Sequence, residues 1–278
     1  MKIKRVIILD LASLGIGESG DANRFDSVGA DTLGHLFADT SADITLPTLT
    51  ELGLGSIRYQ NPVSQLPVVE DPLGYYGKIQ ITAPNNEMHS GLREMLDYQS
   101  SIRTTSVLDS VVEANPVDNN VLLLSNYQSY FSNQIKAQNV HVNDDVSVWW
   151  SMHREAIRQR SGLIYARMSS LPRLANSANQ RGYLDELIQI DGHIQRLMNE
   201  MFSTDMLIIT SSFANDMSFP TSPTREYLPL IVYLPSNRAG KSLGIRRSLG
   251  DIGATVAELF NVEVADKNHG HSFLREFI

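Results

Sequence analysis

Asp10, Ser13, His89, Ser90, Ser211, Ser212 and Asp216 are the side chains whose types and placement, in polar stretches that follow apolar runs, could carry chemistry. A carboxylate near hydroxyls and an imidazole is the material of general acid–base catalysis and of an activated serine nucleophile. The same residues have plain structural uses as well, since an Asp at the end of an apolar run accepts hydrogen bonds from loop amides. One carboxylate alone does not hold a hard cation, which needs several oxygen ligands. Two histidine features have chelating spacing, His269-Gly270-His271 and Glu87 with His89. Neither is specific, and a His-x-His beside Lys267 and Asn268 in a polar stretch reads as solvated.

A scaffold must bring these distant stretches to one end of the molecule. Short apolar runs at 5–9, 121–124, 163–166, 206–209 and 230–233 have the unbroken hydrophobic character of buried parallel strands. Helical patterns lie between them. The clearest spans 180–202, where Tyr183, Leu187, Ile190, Ile194, Leu197 and Met201 recur at steps of three and four and form one apolar stripe. Asp251 is placed to begin the last helix, with Val256, Leu259 and Phe260 on its buried side. Trp149 and Trp150, adjacent in a helical stretch at 146–160, would put one ring inward and one outward. Alternating strands and helices predict an α/β sandwich with a mainly parallel sheet. In such folds ligands sit beyond the carboxyl ends of the strands, so the loops after Leu9, Ile81, Leu124, Ala166 and Ile209 should line any site.

Composition bounds the function. The 278 residues, 42% hydrophobic, suit one core, and a single domain over 1–278 is expected. Zero cysteines exclude a disulfide framework, a thiolate metal site and a cysteine nucleophile. Only four apolar residues follow the basic start before Asp10, and no apolar run approaches a membrane span, so a cytoplasmic protein without membrane contact is expected. With 23 Lys plus Arg against 31 Asp plus Glu, the net charge of −8 argues against a nucleic-acid surface. The densest basic cluster, Arg238, Lys241, Arg246 and Arg247, reads as a solvated loop.

Several ordered runs carry a family resemblance: VIILD at 6–10, GIGE at 15–18, GADTLGHL at 29–36, LPTLTELGLGSI at 46–57 and PLGYYGKIQ at 72–80. The stretch 206–233, SLGDIGATVAELFNVEV at 248–264 and GHSFL at 270–274 continue the series. In order and spacing these resemble the phosphopentomutases, metalloenzymes of the alkaline-phosphatase superfamily. The resemblance implies an alkaline-phosphatase-like three-layer sandwich. It also implies two divalent metals (manganese) and a phosphorylated threonine at the strand ends, with an inserted cap domain closing over a sugar phosphate.

The frame is present, but the residues that the resemblance would assign to chemistry are replaced. The metal-binding Asp-His pair that precedes Asn-Asp in the family gives way to Ser211-Ser212-Phe213-Ala214, and the His before Thr-Arg-Glu-Tyr gives way to Pro223. A strand-end Asp and a following His are expected after Arg167-Met168, yet no Asp or His occurs between Gly162 and Asp185. Asp10 alone keeps its residue type, with two extra residues before the glycine turn. Met88 falls on the phosphorylated threonine. His89 and Ser90 are displaced by one or two residues, roughly 100° or 200° around a helix. Met88, Leu92, Met95 and Leu96 instead read as the apolar face of a helix over 87–100. The cap is expected to be deleted near 97–105.

The residues kept, Asp31, Thr32, Asn215, Asp216, Thr224, Arg225, Glu226 and Asp251, brace loops rather than bind metal. His35, His153 and His193 are given no catalytic role. No cofactor is expected. Without a cap the strand-end face is open, and Met88, Leu171, Phe213 and Phe219 there favour a protein partner or self-association. The expected function is therefore a catalytically inactive phosphopentomutase-like protein, a pseudoenzyme that binds a partner enzyme as subunit or regulator. The alternative is an active phosphomutase or phosphohydrolase with a rebuilt or metal-independent site drawn from the seven residues named at the outset.

Overall fold

A computed structural model of the chain describes residues 3–38, 40, 44–96, 106–114, 120–125, 137–140, 142–220, 223–263 and 270–277. Eight strands form one sheet: β1 (Arg5–Asp10), β2 (Tyr75–Ile79), β3 (Val121–Leu124), β4 (Gln138–Val140), β5 (Gly162–Arg167), β6 (Asp205–Thr210), β7 (Leu228–Tyr233) and β8 (Ser242–Arg246). Their order is β4-β3-β5-β1-β6-β7-β2-β8. β1 is central and pairs in parallel with β5 and β6, and β7 is antiparallel to both of its neighbours, β6 and β2. The five apolar runs expected as strands are strands. β4 and β8 are too short and too polar for apolar periodicity to reveal.

Each central strand is buried on both faces, and its alternation divides the core in two. Ile7, Leu9, Leu207 and Ile209 face one layer, made of α1 (Thr32–Ala38), α2 (Pro47–Glu51), α3 (Leu54–Ile57), α6 (Asp145–Arg158), α7 (Ser170–Asn176) and α8 (Gln180–Glu200). Val6, Ile8, Met206 and Ile208 face the other, made of α4 (Ser90–Leu96), α5 (Val107–Ala114) and α9 (Gly250–Phe260). The result is a three-layer α/β sandwich, as expected.

Local sequence sets the helix starts. The Asn179 side chain accepts from Gly182 N–H at 2.9 Å and opens α8, and Asp144 accepts from Ser147 N–H at 2.8 Å and opens α6. The stripe of α8 from Tyr183 to Leu197 is buried as its spacing requires. On α6, Trp149 is buried and Trp150 is 75% exposed. Asp251 does not cap α9. Its carboxylate takes Arg246 Nε and His271 N–H, each at 2.8 Å, so the basic cluster is partly paired rather than wholly solvated. The helix expected over 87–100 begins at Ser90. The cap deletion expected near 97–105 lies outside the described residues. Among the described residues no helix is long and apolar enough to cross a membrane.

One buried ion pair ties the amino-terminal strand to its surroundings. Arg5 and Asp205, both fully buried, bond side chain to side chain, and Arg5 Nη1 also donates to the carbonyls of Ala156 at 2.8 Å and Gln159 at 2.6 Å at the end of α6. Removing one partner leaves the other charge buried. Asp205→Ala is expected to lower the unfolding free energy by about 3–5 kcal/mol, read from urea denaturation; a loss below 1 kcal/mol would contradict this role.

Candidate functional site

Parallel pairing places the carboxyl ends of β1, β5 and β6 side by side: Asp10 is registered opposite Arg167 on one side and Thr210 on the other. Asp10 is fully buried. Its Oδ1 accepts the Ser212 N–H at 2.8 Å, and its Oδ2 accepts the Tyr165 hydroxyl at 2.6 Å. Arg167 Nε stands 3.5 Å from the same Oδ2, with both side chains fully buried. The guanidinium also lies over the Phe213 ring, 5.7 Å from its centroid. Burial, reinforced by the Asp10 charge, raises the Tyr165 pKa well above the ordinary phenol value, so this hydroxyl is a fixed donor.

The turn before α4 closes over this cluster. A Cβ on Gly91 would fall 1.9 Å from the Ser212 carbonyl oxygen, so only glycine allows α4 to approach so closely. His89 sits in that turn. Burial, with the charges of Arg167 and Arg93, lowers its pKa to about 4, so the ring is neutral at physiological pH. Leu92, Met95 and Leu96 are core residues of α4, but Met88 precedes the helix and is only half-buried, which corrects its place on the apolar face.

Three of the four hydroxyls named from the sequence are spent locally. Ser13, buried and with φ of 81°, bonds the Tyr183 hydroxyl at 3.0 Å. Ser211 Oγ donates to the Phe213 carbonyl at 2.5 Å, and Ser90 Oγ donates to Asn85. Ser212 Oγ is buried and makes no hydrogen bond among the described residues. Asp216 is drawn away from Asp10: its carboxylate accepts from Asp31 N–H at 2.8 Å, His35 Nδ1 at 2.7 Å and Ser218 N–H at 2.9 Å. Of the sequence candidates, Asp10, Ser212 and His89 therefore gather around Arg167. Sequence reasoning missed Arg167 and Tyr165; the available signal was an arginine ending a buried strand next in the sheet to Asp10.

The framework residues brace as expected. Arg225, buried, donates Nη2 to Asp21 at 2.9 Å and to the carbonyls of Ile81 at 2.7 Å and Ala83 at 3.0 Å. Glu226 accepts Thr32 N–H at 2.8 Å, Thr32 Oγ1 at 2.7 Å and Thr224 Oγ1 at 2.6 Å, while burial raises its pKa. Glu94 holds the other side through Thr82 N–H and Ser248 Oγ, at 2.8 and 2.7 Å. Leu171 and Phe213, expected on the open face as partner contacts, are instead buried, because α7 and the turn after β6 fold them into the core. Phe219 stays half-buried.

These donors do not fit a pair of divalent metals. Both Asp10 oxygens are engaged, a permanent cation stands beside one of them, and no group of three or more His, Asp or Glu among the described residues is placed to hold a metal ion.

The family model described as the metalloenzyme superfamily matches residues 126–264. The sequence is similar to the phosphopentomutase of Levilactobacillus brevis, at 24% identity over 396 aligned positions covering 99% of this chain and 100% of the relative. It is also similar to that of Limosilactobacillus reuteri, at 25% identity over 99% of each chain. A stretch of these relatives therefore has no counterpart in the 278 residues here. Among solved structures, the fold is shared with an alkaline phosphatase superfamily protein from Vibrio parahaemolyticus, with TM-score 0.61 and 12% identity over 99% of this chain and 70% of that one. A putative sulfatase from Bacteroides thetaiotaomicron gives TM-score 0.59 at 8% identity, over 99% and 74%. The sandwich is thus alkaline-phosphatase-like.

If Arg167 is the counter-ion of Asp10, Arg167→Met should cost about 3–5 kcal/mol of stability. Adding Asp10→Asn should recover part of that loss. Strictly additive losses in the double-mutant cycle would show that the two charges do not act as a pair.

Proposed function

We propose, from the premise that this chain belongs to the metalloenzyme superfamily, that it is a phosphopentomutase-like pseudoenzyme that acts by binding a protein partner, as a subunit or regulator of another enzyme. The observation that carries this reading is the Arg167 guanidinium beside Asp10, at the strand ends where the resemblance calls for metal. In metal-assisted phosphoryl chemistry divalent cations neutralise charge and activate the nucleophile. A side-chain cation neutralises Asp10 but offers no open coordination position. With Met88 in place of the phosphorylated threonine, and no cap to exclude water, neither group transfer nor desolvation is supported. The lack of cysteine favours a reducing, cytoplasmic setting.

A binding role needs a surface, and α6 supplies apolar area that the strand-end loops do not. Val146, Trp150 and Ile157 are 66%, 75% and 57% exposed. Four and eleven residues apart, they fall within roughly 40° of one another around the helix. They form one apolar line on the outer face, of the kind that a protein partner or a second copy covers.

After dialysis against manganese, elemental analysis is expected to find less than one tightly bound manganese per chain, and assays should show no interconversion of ribose 1-phosphate and ribose 5-phosphate. Two stoichiometric metals, or turnover abolished by Asp10→Ala, would restore the enzyme reading. Light scattering across a dilution series, alone and with proteins captured from the native host, should reveal an association that Trp150→Glu weakens. A chain that stays monomeric and captures nothing would remove the binding role.

A further inference from the structure

Where α6 and α8 pack against each other, they bring together His153 from α6 with His193 and Glu200 from α8. His153 Nδ1 lies 2.6 Å from Glu200 Oε2, and its other ring nitrogen, Nε2, lies 3.4 Å from His193 Nδ1. An ionised carboxylate only accepts, so Glu200 holds the His153 proton on Nδ1 and turns the Nε2 lone pair toward His193. His193 in turn lies flat on buried Trp149, with centroids 4.7 Å apart and planes 8° apart, which fixes the direction of its Nδ1. Two ring nitrogens are thereby aimed at one point.

At this separation, either a proton or a metal ion can join the rings. Two imidazole nitrogens each about 2.0–2.1 Å from a four-coordinate metal lie roughly 3–3.4 Å apart. A metal-bound imidazole characteristically donates its far N–H to a carboxylate, the relation that Glu200 has to His153. The cluster opens into a pocket of about 320 Å³, lined also by Val146, Trp150 and Arg196, which leaves room for water ligands. Arg196 opposes a cation there; Glu200 offsets it.

We propose that His153 Nε2 and His193 Nδ1 bind one late first-row divalent cation, Zn²⁺, Ni²⁺ or Cu²⁺, with waters completing its shell. The metal takes the place of the proton between the rings, and His193 then carries its proton on Nε2, so both rings ligate as neutral imidazoles. Imidazole ligands suit these cations over Mg²⁺ or Mn²⁺, so the site is separate from any question of manganese at the strand ends and stands or falls independently of the binding role proposed above.

Both tryptophans of the chain adjoin this pocket, so intrinsic fluorescence reports on it directly. The full-length protein, stripped with chelator, is titrated with NiCl₂ and CuCl₂ for quenching and with ZnCl₂ by calorimetry. Saturation at one metal per chain is expected, with MgCl₂ and MnCl₂ silent. His153→Gln and His193→Ala should abolish it, and Glu200→Gln should weaken it roughly 10-fold or more by freeing the His153 ring. If His193→Ala fails to fold, His153→Gln and Glu200→Gln carry the test by themselves. Quenching that survives His153→Gln, that vanishes instead in a His269→Ala, His271→Ala variant, or that never saturates would overturn the site.

Discussion

A carboxylate buried at the end of the central strand has to find its compensating charge inside the protein, and Asp10 finds it in Arg167 on the neighbouring strand. At 3.5 Å such a pair attracts by roughly 4–5 kcal/mol with an effective dielectric near 20, of the same order as the cost of taking the charges out of water. The pair therefore adds little net stability, but loss of either member leaves an uncompensated charge in the core. That asymmetry holds β1 and β5 in register at their carboxyl ends, and the Ser212 amide and Tyr165 hydroxyl use the remaining capacity of the carboxylate. An arginine keeps its charge throughout the physiological pH range, so the compensation is permanent and needs no exchangeable ion.

The loops around this pair hold their shape through buried charge-assisted bonds. Arg225 gathers Asp21 and the chain leading to α4, Glu226 gathers Thr32 and Thr224, and Glu94 gathers the start of the same chain and Ser248. Gly15 and Gly91 permit the close approaches that result: a Cβ on Gly15 would fall 2.2 Å from a Glu226 carboxylate oxygen. Shape at the strand ends is thus maintained by polar residues bonded to one another and to the backbone. Where ligands would be required, apolar and small side chains fill the space, and Phe213 packs against the guanidinium.

This filling also explains where the exposed apolar surface lies. Leu171 and Phe213 close the strand ends from within, while Val146, Trp150 and Ile157 stand out on α6. Exposed apolar side chains thus line a helix rather than the strand-end loops, beside a pocket built from the same helix and α8.

The sequence by itself determined the strands whose apolar runs are unbroken, the long amphipathic α8 and the opposite fates of Trp149 and Trp150, because burial repeats with a period set by local geometry. It also determined which ligand residues are missing, since residue identity alone decides what can coordinate a metal. Only the tertiary structure decided what replaced them. Arg167 meets Asp10 through strand pairing between segments far apart in the chain, and His153 meets His193 and Glu200 through the packing of two helices. Met88, Leu171 and Phe213 were misplaced by sequence reasoning for the same reason. Met88 and Phe213 lie in turns, where a side chain has no periodic direction, and Leu171 lies at the start of the short helix α7; the burial of each depends on which distant element its segment closes against.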